Sequence, residues 1–254
     1  MKRLKEWQMK RRIKYTMMVK TVPELSKRDG GIYTCSLGYS DELGFIRVYP
    51  LPLNGMKRWS TYEIEVEKNK RDSRAESWKL SSYTRFENFI GFEKDIVYLG
   101  DANKDDIINK AMQCCSPSIS KLNEQRKSIG FIATKSINAH WQANERFINT
   151  KQMGLFEDVE IADFTKYTKE TKEKQSRIYF SDGDGSHNLQ LNDWQYYEYQ
   201  RKFGAKPDAF RYINNDKVKL IMIGNLYQYR SKWLALGVFN TKSQFAFGNT
   251  KSLF

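Results

Sequence analysis

The sequence predicts a mainly β fold with helices (α+β), made of two small OB-like β-barrel modules joined by a helical connector. Two observations carry this. Short alternating segments separated by Gly, Pro and Asp turns fill residues 13–98, and a second run of such segments, with one helix inserted before the last two, fills residues 127–254. Between them lies one stretch of helical periodicity, within 99–126.

Ile13 to Val22 is rich in β-formers and ends at Pro23. After the Lys27-Arg28-Asp29-Gly30-Gly31 turn, Ile32–Gly38 and Gly44–Tyr49 form a hairpin across residues 39–42, closed by Pro50 and Pro52. Thr61 to Glu67 alternates: Tyr62, Ile64 and Val66 share one face, and Glu63, Glu65 and Glu67 the other. Asp95–Leu99 is read as a fifth strand. Asp101–Cys115 opens with acids and carries Ile107, Ile108, Ala111 and Met112 at helical spacing, until Ser116-Pro117-Ser118 breaks it.

In the last half, Ser128–Thr134, Arg177–Ser181 and His187–Leu191 read as strands, the latter two joined through Asp182-Gly183-Asp184-Gly185. Asn192 or Asp193 caps a helix over Trp194–Phe203, and Lys217–Gly224 with Trp233–Phe239 forms a closing hairpin. The order β-β-β-α-β-β is that of an OB barrel. A polar insertion near 140–176 separates its first two strands.

Charge narrows the function. The chain has 43 Lys and Arg against 30 Asp and Glu, a net +13, which attracts polyanions and makes nucleic acid, DNA or RNA, the leading partner class. The excess is concentrated at one end: Lys2, Arg3, Lys5, Lys10, Arg11, Arg12, Lys14 and Lys20 lie within the first twenty residues, with Glu6 the only acid. Residues 1–12 read as a basic arm. No apolar run approaches the ~18–20 residues of a membrane span, and the first residues lead into charge instead of a signal-peptide core. No membrane association is expected. Three cysteines, two of them adjacent, do not make a disulfide framework, which fits a reducing, cytoplasmic setting.

The motifs Tyr33-Thr34-Cys35-Ser36-Leu37-Gly38, Gly44-Phe45-Ile46-Arg47-Val48-Tyr49-Pro50 and Asp72-Ser73-Arg74-Ala75-Glu76-Ser77 resemble the C-x-A-G, W-I-R-L-Y-P and D-x-R-x-E-S pattern of an uncharacterised family of bacterial and phage proteins. Asn192-Asp193-Trp194-Gln195 is similar to that family's DWE helix start. Ile223-Gly224-Asn225 and Trp233–Phe239 are similar to its closing F-x-G-N and W-x-I-x-G-V-F hairpin. Phe45 stands where Trp is usual, Leu37 where Ala is, and Gln195 replaces an acid. The G-x-W-I-R strand also gives a looser similarity to predicted dual-OB domains. The resemblance implies no activity and no zinc ligand set, since only His187 stands near the Asp182–Gly185 turn.

Each binding constellation has two readings. Phe45, Arg47 and Tyr49 share one strand face, either a surface for bases and phosphate or a core side where Arg47 pairs with a carboxylate of the Asp72–Glu76 run. Lys68, Lys70, Arg71, Arg74 and Lys79, interleaved with Trp78 and Tyr83, form either a phosphate-contacting stretch or a solvated mixed-charge loop. On the second module, Arg177, Tyr179, the Asp182–Gly185 turn and His187 frame the expected OB face, with the Tyr227–Arg230 loop, and in it Tyr229 and Arg230, at one end. Of the remaining aromatics, Tyr196 and Tyr199 on the helix are expected at the surface together with Tyr229. The nucleic-acid-binding candidates are therefore Lys2, Arg3, Lys10, Arg11, Arg12, Arg47, Arg71, Arg74, Trp78, Arg177, Tyr179, Tyr229 and Arg230.

Catalysis finds little support. His140 and His187 are the only histidines, and no nucleophile elbow, phosphate-binding Gly-Lys-Ser/Thr loop or HExxH motif occurs. No cofactor is implied. Asp182 with Asp184, or the Glu63–Glu65–Glu67 face, would serve a metal-dependent nuclease if either held Mg²⁺; the alternatives are a hairpin tip and the solvent side of an amphipathic strand. The expectation is a non-enzymatic nucleic-acid-binding or nucleoprotein-associated protein. An alternative is a phage or mobile-element protein that binds a host or defence protein.

Overall fold

The computed structural model describes residues 10–25, 32–51, 56–70, 72–82, 96–145 and 173–241. The chain divides into two units. The first comprises Met1–Ser73, Ser77–Ala102 and Gln142–Gln175, and the second Arg74–Glu76, Asn103–Trp141 and Ser176–Phe254.

In the first unit the strands are β1 (Arg11–Lys20), β2 (Glu24–Leu25), β3 (Ile32–Ser40), β4 (Gly44–Leu51), β5 (Ser60–Lys68), β6 (Ser77–Leu80) and β7 (Ile96–Asp101). Five of them close a barrel in the order β1-β3-β4-β6-β5, with β5 returning to β1. The β4–β6 pair is parallel and the other pairs in the ring are antiparallel. This is the strand order of an OB barrel, in which the first strand pairs with the second and the fourth. Ile13, Tyr15, Met17, Ile46, Val48, Tyr62, Ile64, Val66, Trp78 and Leu80 fill the interior. The alternation of β5 is realised as expected, with Tyr62, Ile64 and Val66 buried and Glu63, Glu65 and Glu67, each following one of them, half-buried. Closure needs a close approach at Gly38, where an added Cβ would lie 2.1 Å from the Thr16 carbonyl oxygen.

Two boundaries differ from the sequence reading. The first strand begins at Arg11, because Arg11 and Arg12 continue the antiparallel ladder opposite Val66 and Glu65. The basic arm therefore ends sooner than residue 12; residues 1–9 lie outside the described residues. The segment expected as the fifth strand is β7, which pairs with β5 outside the ring. The ring's fifth strand is the four-residue β6, inside the run of charges whose alternatives were phosphate contact or a solvated loop.

The second unit contains helices α1 (Lys104–Gln113), α2 (Ile119–Glu124) and α3 (Trp194–Phe203). Its strands are β8 (Ile129–Thr134), β9 (Ile137–Ala143), β10 (Lys174–Asp182), β11 (Gly185–Gln190), β12 (Lys219–Asn225) and β13 (Trp233–Asn240). The last two residues of β9 and the first two of β10 lie in segments grouped with the first unit. Asn103 caps α1, its side chain accepting from the Asp105 amide. The expected connector 99–126 thus starts in β7 and holds two short helices.

The predicted β-β-β-α-β-β order is present with one addition, β9, which enters the stretch read as a polar insertion. The bend between β8 and β9 is stapled to β10: the Thr134 hydroxyl donates to the Ser181 carbonyl at 3.0 Å, and the Ser181 amide donates to the Ser136 carbonyl at 3.2 Å. Taken as one bent first strand, β8–β9 pairs with β12 at one end and β10 at the other. β10 pairs with β11 and β12 with β13, and a parallel bridge from Leu191 to Ala235 links the third strand to the fifth. These are again the OB pairings, with α3 between the third and fourth strands. Ile132, Ile178, Phe180, Tyr196, Phe210, Ile221, Ile223 and Val238 form the core.

Helix α3 is capped by Asp193, whose carboxylate accepts from the Gln195 amide at 3.0 Å. Tyr196 does not face solvent as expected. It is buried, stacked on Phe210 with ring centres 5.3 Å apart, because the 3₁₀ turn Pro207–Phe210 covers a second side of the helix. Tyr199 is half-buried, its hydroxyl donating to Asp208 at 2.7 Å.

The β1–β5 ladder sets where truncation is tolerated. Two truncations, of residues 1–9 and of residues 1–12, are compared. Extending the deletion to residue 12 removes two ladder positions and two ion pairs, and is expected to lower melting by about 2–4 °C. Calorimetry of the two truncations checks this.

Candidate nucleic-acid interface

The outer face of the β10–β11 hairpin follows from its register. Arg177 lies opposite Gln190, Tyr179 opposite Asn188, and Ser181 opposite Ser186, while Ile178 and Phe180 point into the core. Successive side chains alternate between faces, so Arg177, Tyr179, Asn188 and Gln190 share the outer one. Tyr179 is 46% exposed. Arg177 is oriented by Asn188, donating from Nε to its Oδ1 at 2.8 Å and from Nη2 to its carbonyl at 2.6 Å. His187 does not join this face. It sits opposite Phe180, with ring centres 5.2 Å apart, and its Nε2 is 2.8 Å from Asp182 Oδ1.

The loop between β12 and β13, residues 226–232, is exposed throughout. Two main-chain bonds shape it, Leu226 N–H to the Lys232 carbonyl at 3.0 Å and Lys232 N–H to the Tyr229 carbonyl at 2.9 Å. Tyr227 and Tyr229 are 49% and 55% exposed. The guanidinium carbons of Arg74 and Arg230 lie 5.8 and 5.7 Å from the Tyr227 ring centre, and Lys232 Nζ lies 4.9 Å from that of Tyr229. Arg74 also donates to the Asn225 carbonyl at 2.8 Å, and its neighbour Glu76 accepts from the Ser128 hydroxyl at 2.7 Å. The Leu191–Ala235 bridge, with the Asn192 amide donating to the Ala235 carbonyl at 2.7 Å, ties the end of β11 to the start of β13, just past this loop.

The structure thus places Arg74, Arg177, Tyr179, Tyr229 and Arg230 on the second unit. Lys10, Arg11 and Arg12 are exposed on the first, but Lys10 pairs with Glu65 and Arg12 with Glu63, each at 3.3 Å. The Ser81 hydroxyl and Lys10 hold the Glu65 carboxyl below its ordinary value. Trp78, expected as a stacking residue, is a core residue at 6% exposure, with Lys68 Nζ 3.9 Å and the Arg11 guanidinium 5.7 Å from its ring centre. Arg47 is 4% exposed, between Leu37 on β3 and Ser77 on β6. Ser77 donates to Asp72 at 2.6 Å, and while Tyr49 on the same strand is exposed, Arg47 is buried. Beside it, burial pushes the Cys35 thiol up to about 12 against the opposing pull of Arg47. Lys2, Arg3 and Arg71 lie outside the described residues.

Sequence reasoning missed Asn188, whose role shows only through the hairpin register, and Lys232. Lys232 was signalled by its place in the same aromatic and basic loop.

The acidic turn has a structural task. Asp182 Oδ2 accepts from the Ile119 amide at 3.0 Å and Oδ1 from the Asp184 amide at 2.8 Å, while Asp184 Oδ2 accepts from the Ser120 amide at 2.9 Å. Both carboxylates thus fasten the hairpin tip to the start of α2. Among the described residues no three His, Cys, Asp or Glu side chains converge on a cation position.

The closed first barrel and the repeated pairing order of the second unit make this an OB-like β-barrel protein. A family model described as Domain of unknown function (DUF8758) matches residues 11–96, from the start of β1 to the first residue of β7. No curated protein matches the chain.

Asp182, whose side chain is fully enclosed, tests the turn assignment. Asp182→Ala takes the acceptor from the amide of the buried Ile119 and is expected to cost about 1–3 kcal/mol in denaturant melts, whereas Mg²⁺ or a chelator leaves the wild-type melt unchanged. Stabilisation of the wild type by Mg²⁺ that the variant lacks contradicts this assignment.

Proposed function

We propose that the protein is a non-enzymatic nucleic-acid-binding protein, acting alone or within a nucleoprotein complex in the cytoplasm. It holds single-stranded nucleic acid on the outer face of β10–β11 and the 226–232 loop. The observation that carries this reading is the position of the exposed aromatic and basic side chains. Tyr179 and Arg177 lie on the second strand of the OB pairing order, and Tyr227, Tyr229, Arg230 and Lys232 in the loop between its fourth and fifth. Those are the places where OB barrels contact oligonucleotides. Tyrosine rings stack on bases of any sequence, and arginines supply salt-sensitive phosphate contacts. The net charge of +13 supports the same partner class.

A second reading, a phage or mobile-element protein that docks on a host or defence protein, draws support from β7. Val97, Tyr98 and Leu99 are consecutive and each about half exposed on that strand.

Fluorescence anisotropy with a labelled single-stranded oligonucleotide, titrated across salt, separates the two. The nucleic-acid reading expects log Kd to rise linearly with log salt. Tyr179→Ala and Tyr229→Ala are each expected to weaken binding by about 1–3 kcal/mol, without the loss of stability that Tyr196→Ala produces. Binding that ignores salt and survives both tyrosine substitutions contradicts it.

A further inference from the structure

The two tyrosines of the 226–232 loop are dressed differently. Tyr227 has two guanidinium carbons within 6 Å of its ring centre, from Arg74 and Arg230, while Tyr229 has one ammonium, from Lys232, at 4.9 Å. Arg74 reaches its place from a short segment held at both ends. Its own Nη1 bonds the Asn225 carbonyl at 2.8 Å, and Glu76 accepts from the Ser128 hydroxyl at 2.7 Å. A guanidinium carries five N–H donors in a planar fork that matches phosphate oxygens, and one held against an aromatic face gives up less rotamer freedom on binding than an arginine loose in solvent.

We infer that Tyr227 is a positioning residue that holds Arg74 and Arg230 as a two-phosphate clamp, while Tyr229 is the stacking platform of the same loop. This rests on the nucleic-acid reading and assigns the loop's ligand as the sugar–phosphate backbone of a single strand. The guanidiniums are at most two ring-to-cation distances apart, which neighbouring phosphates of an extended strand can span. The consequence runs against residue chemistry. Removing an uncharged ring at 227 reduces the electrostatic part of binding, and removing one at 229 does not.

The test uses the full chain and a labelled oligothymidylate, with Kd measured across salt for the wild type, Tyr227→Ala, Tyr227→Leu, Tyr227→Phe, Tyr229→Ala and Arg74→Gln. Each phosphate contact in a single strand contributes about 0.7 to the log–log salt slope. Tyr227→Ala and Tyr227→Leu are expected to flatten the slope by about 0.7–1.4, Arg74→Gln by about 0.7, and Tyr227→Phe not at all. Tyr229→Ala is expected to weaken binding several-fold at every salt concentration with the slope unchanged. Tyr227→Leu keeps the bulk at this site, so a fold defect confined to the alanine variant leaves the test intact. A wild-type slope retained in Tyr227→Leu overturns the clamp while the nucleic-acid reading stands. Failure of the wild-type chain to bind the oligonucleotide overturns both.

Discussion

Each unit depends on one strand that hydrogen-bonds along both of its edges. In the first, β1 pairs with β3 on one side and β5 on the other. In the second, the bent β8–β9 strand does the same work in two pieces, pairing with β12 before the bend and β10 after it. A sheet closed in this way engages both edges of its first strand, each over part of its length, and fixes which residues of every later strand point inward. The demands at closure are local and severe. In the first barrel Gly38 lets the β3 backbone press against Thr16 and Tyr15, and in the second Thr134 donates to Ser181 and Ser181 to Ser136, which holds the bend.

The surface follows from closure. Because Ile178 and Phe180 must fill the core, Arg177 and Tyr179 must face out, and the partner strand brings Asn188 and Gln190 beside them. The bridge from Leu191 to Ala235 sets where β13 begins and so where the aromatic and basic loop leaves the barrel. The same logic takes side chains away from solvent on the first unit. Trp78 is an interior residue of the shortest ring strand, and two glutamates on the outer side of β5, Glu63 and Glu65, pair with Arg12 of β1 and with Lys10 just before it. Charge that reads in the sequence as a polyanion-binding arm is in part already matched within the barrel. The second unit presents its cations against tyrosine rings instead.

Much of this was legible in the sequence because period-2 alternation survives wherever one face of a strand is wet. It is clear in Thr61–Glu67 and in Arg177–Ser181, and the β-β-β-α-β-β order could be read directly. β6 was not legible. It has four residues, three of them buried, and sits among charges that serve neighbouring turns and strands. β9 was hidden because its burial is partial and its composition polar. Alternation also cannot say what covers an outer face. It grouped Phe45, Arg47 and Tyr49 correctly, yet Arg47 is buried while Tyr49 is exposed. Tyr196 failed for a related reason, since helical spacing assigned one buried side and the Pro207–Phe210 turn supplied a second.

The site's chemistry was legible as residue types, and its geometry was not. Arg177, Tyr179, Tyr229 and Arg230 stand out as aromatic and basic residues near turns, but the orientation of Arg177 by Asn188 and the approach of Arg74 to Tyr227 depend on register and long-range packing. Photo-crosslinking of the intact protein to a single-stranded oligonucleotide, with the attached residues mapped by mass spectrometry, addresses the central claim most directly. The account predicts adducts on Tyr179 and on the 226–232 loop. Adducts confined to the first barrel, or to the exposed β7 residues, would contradict it.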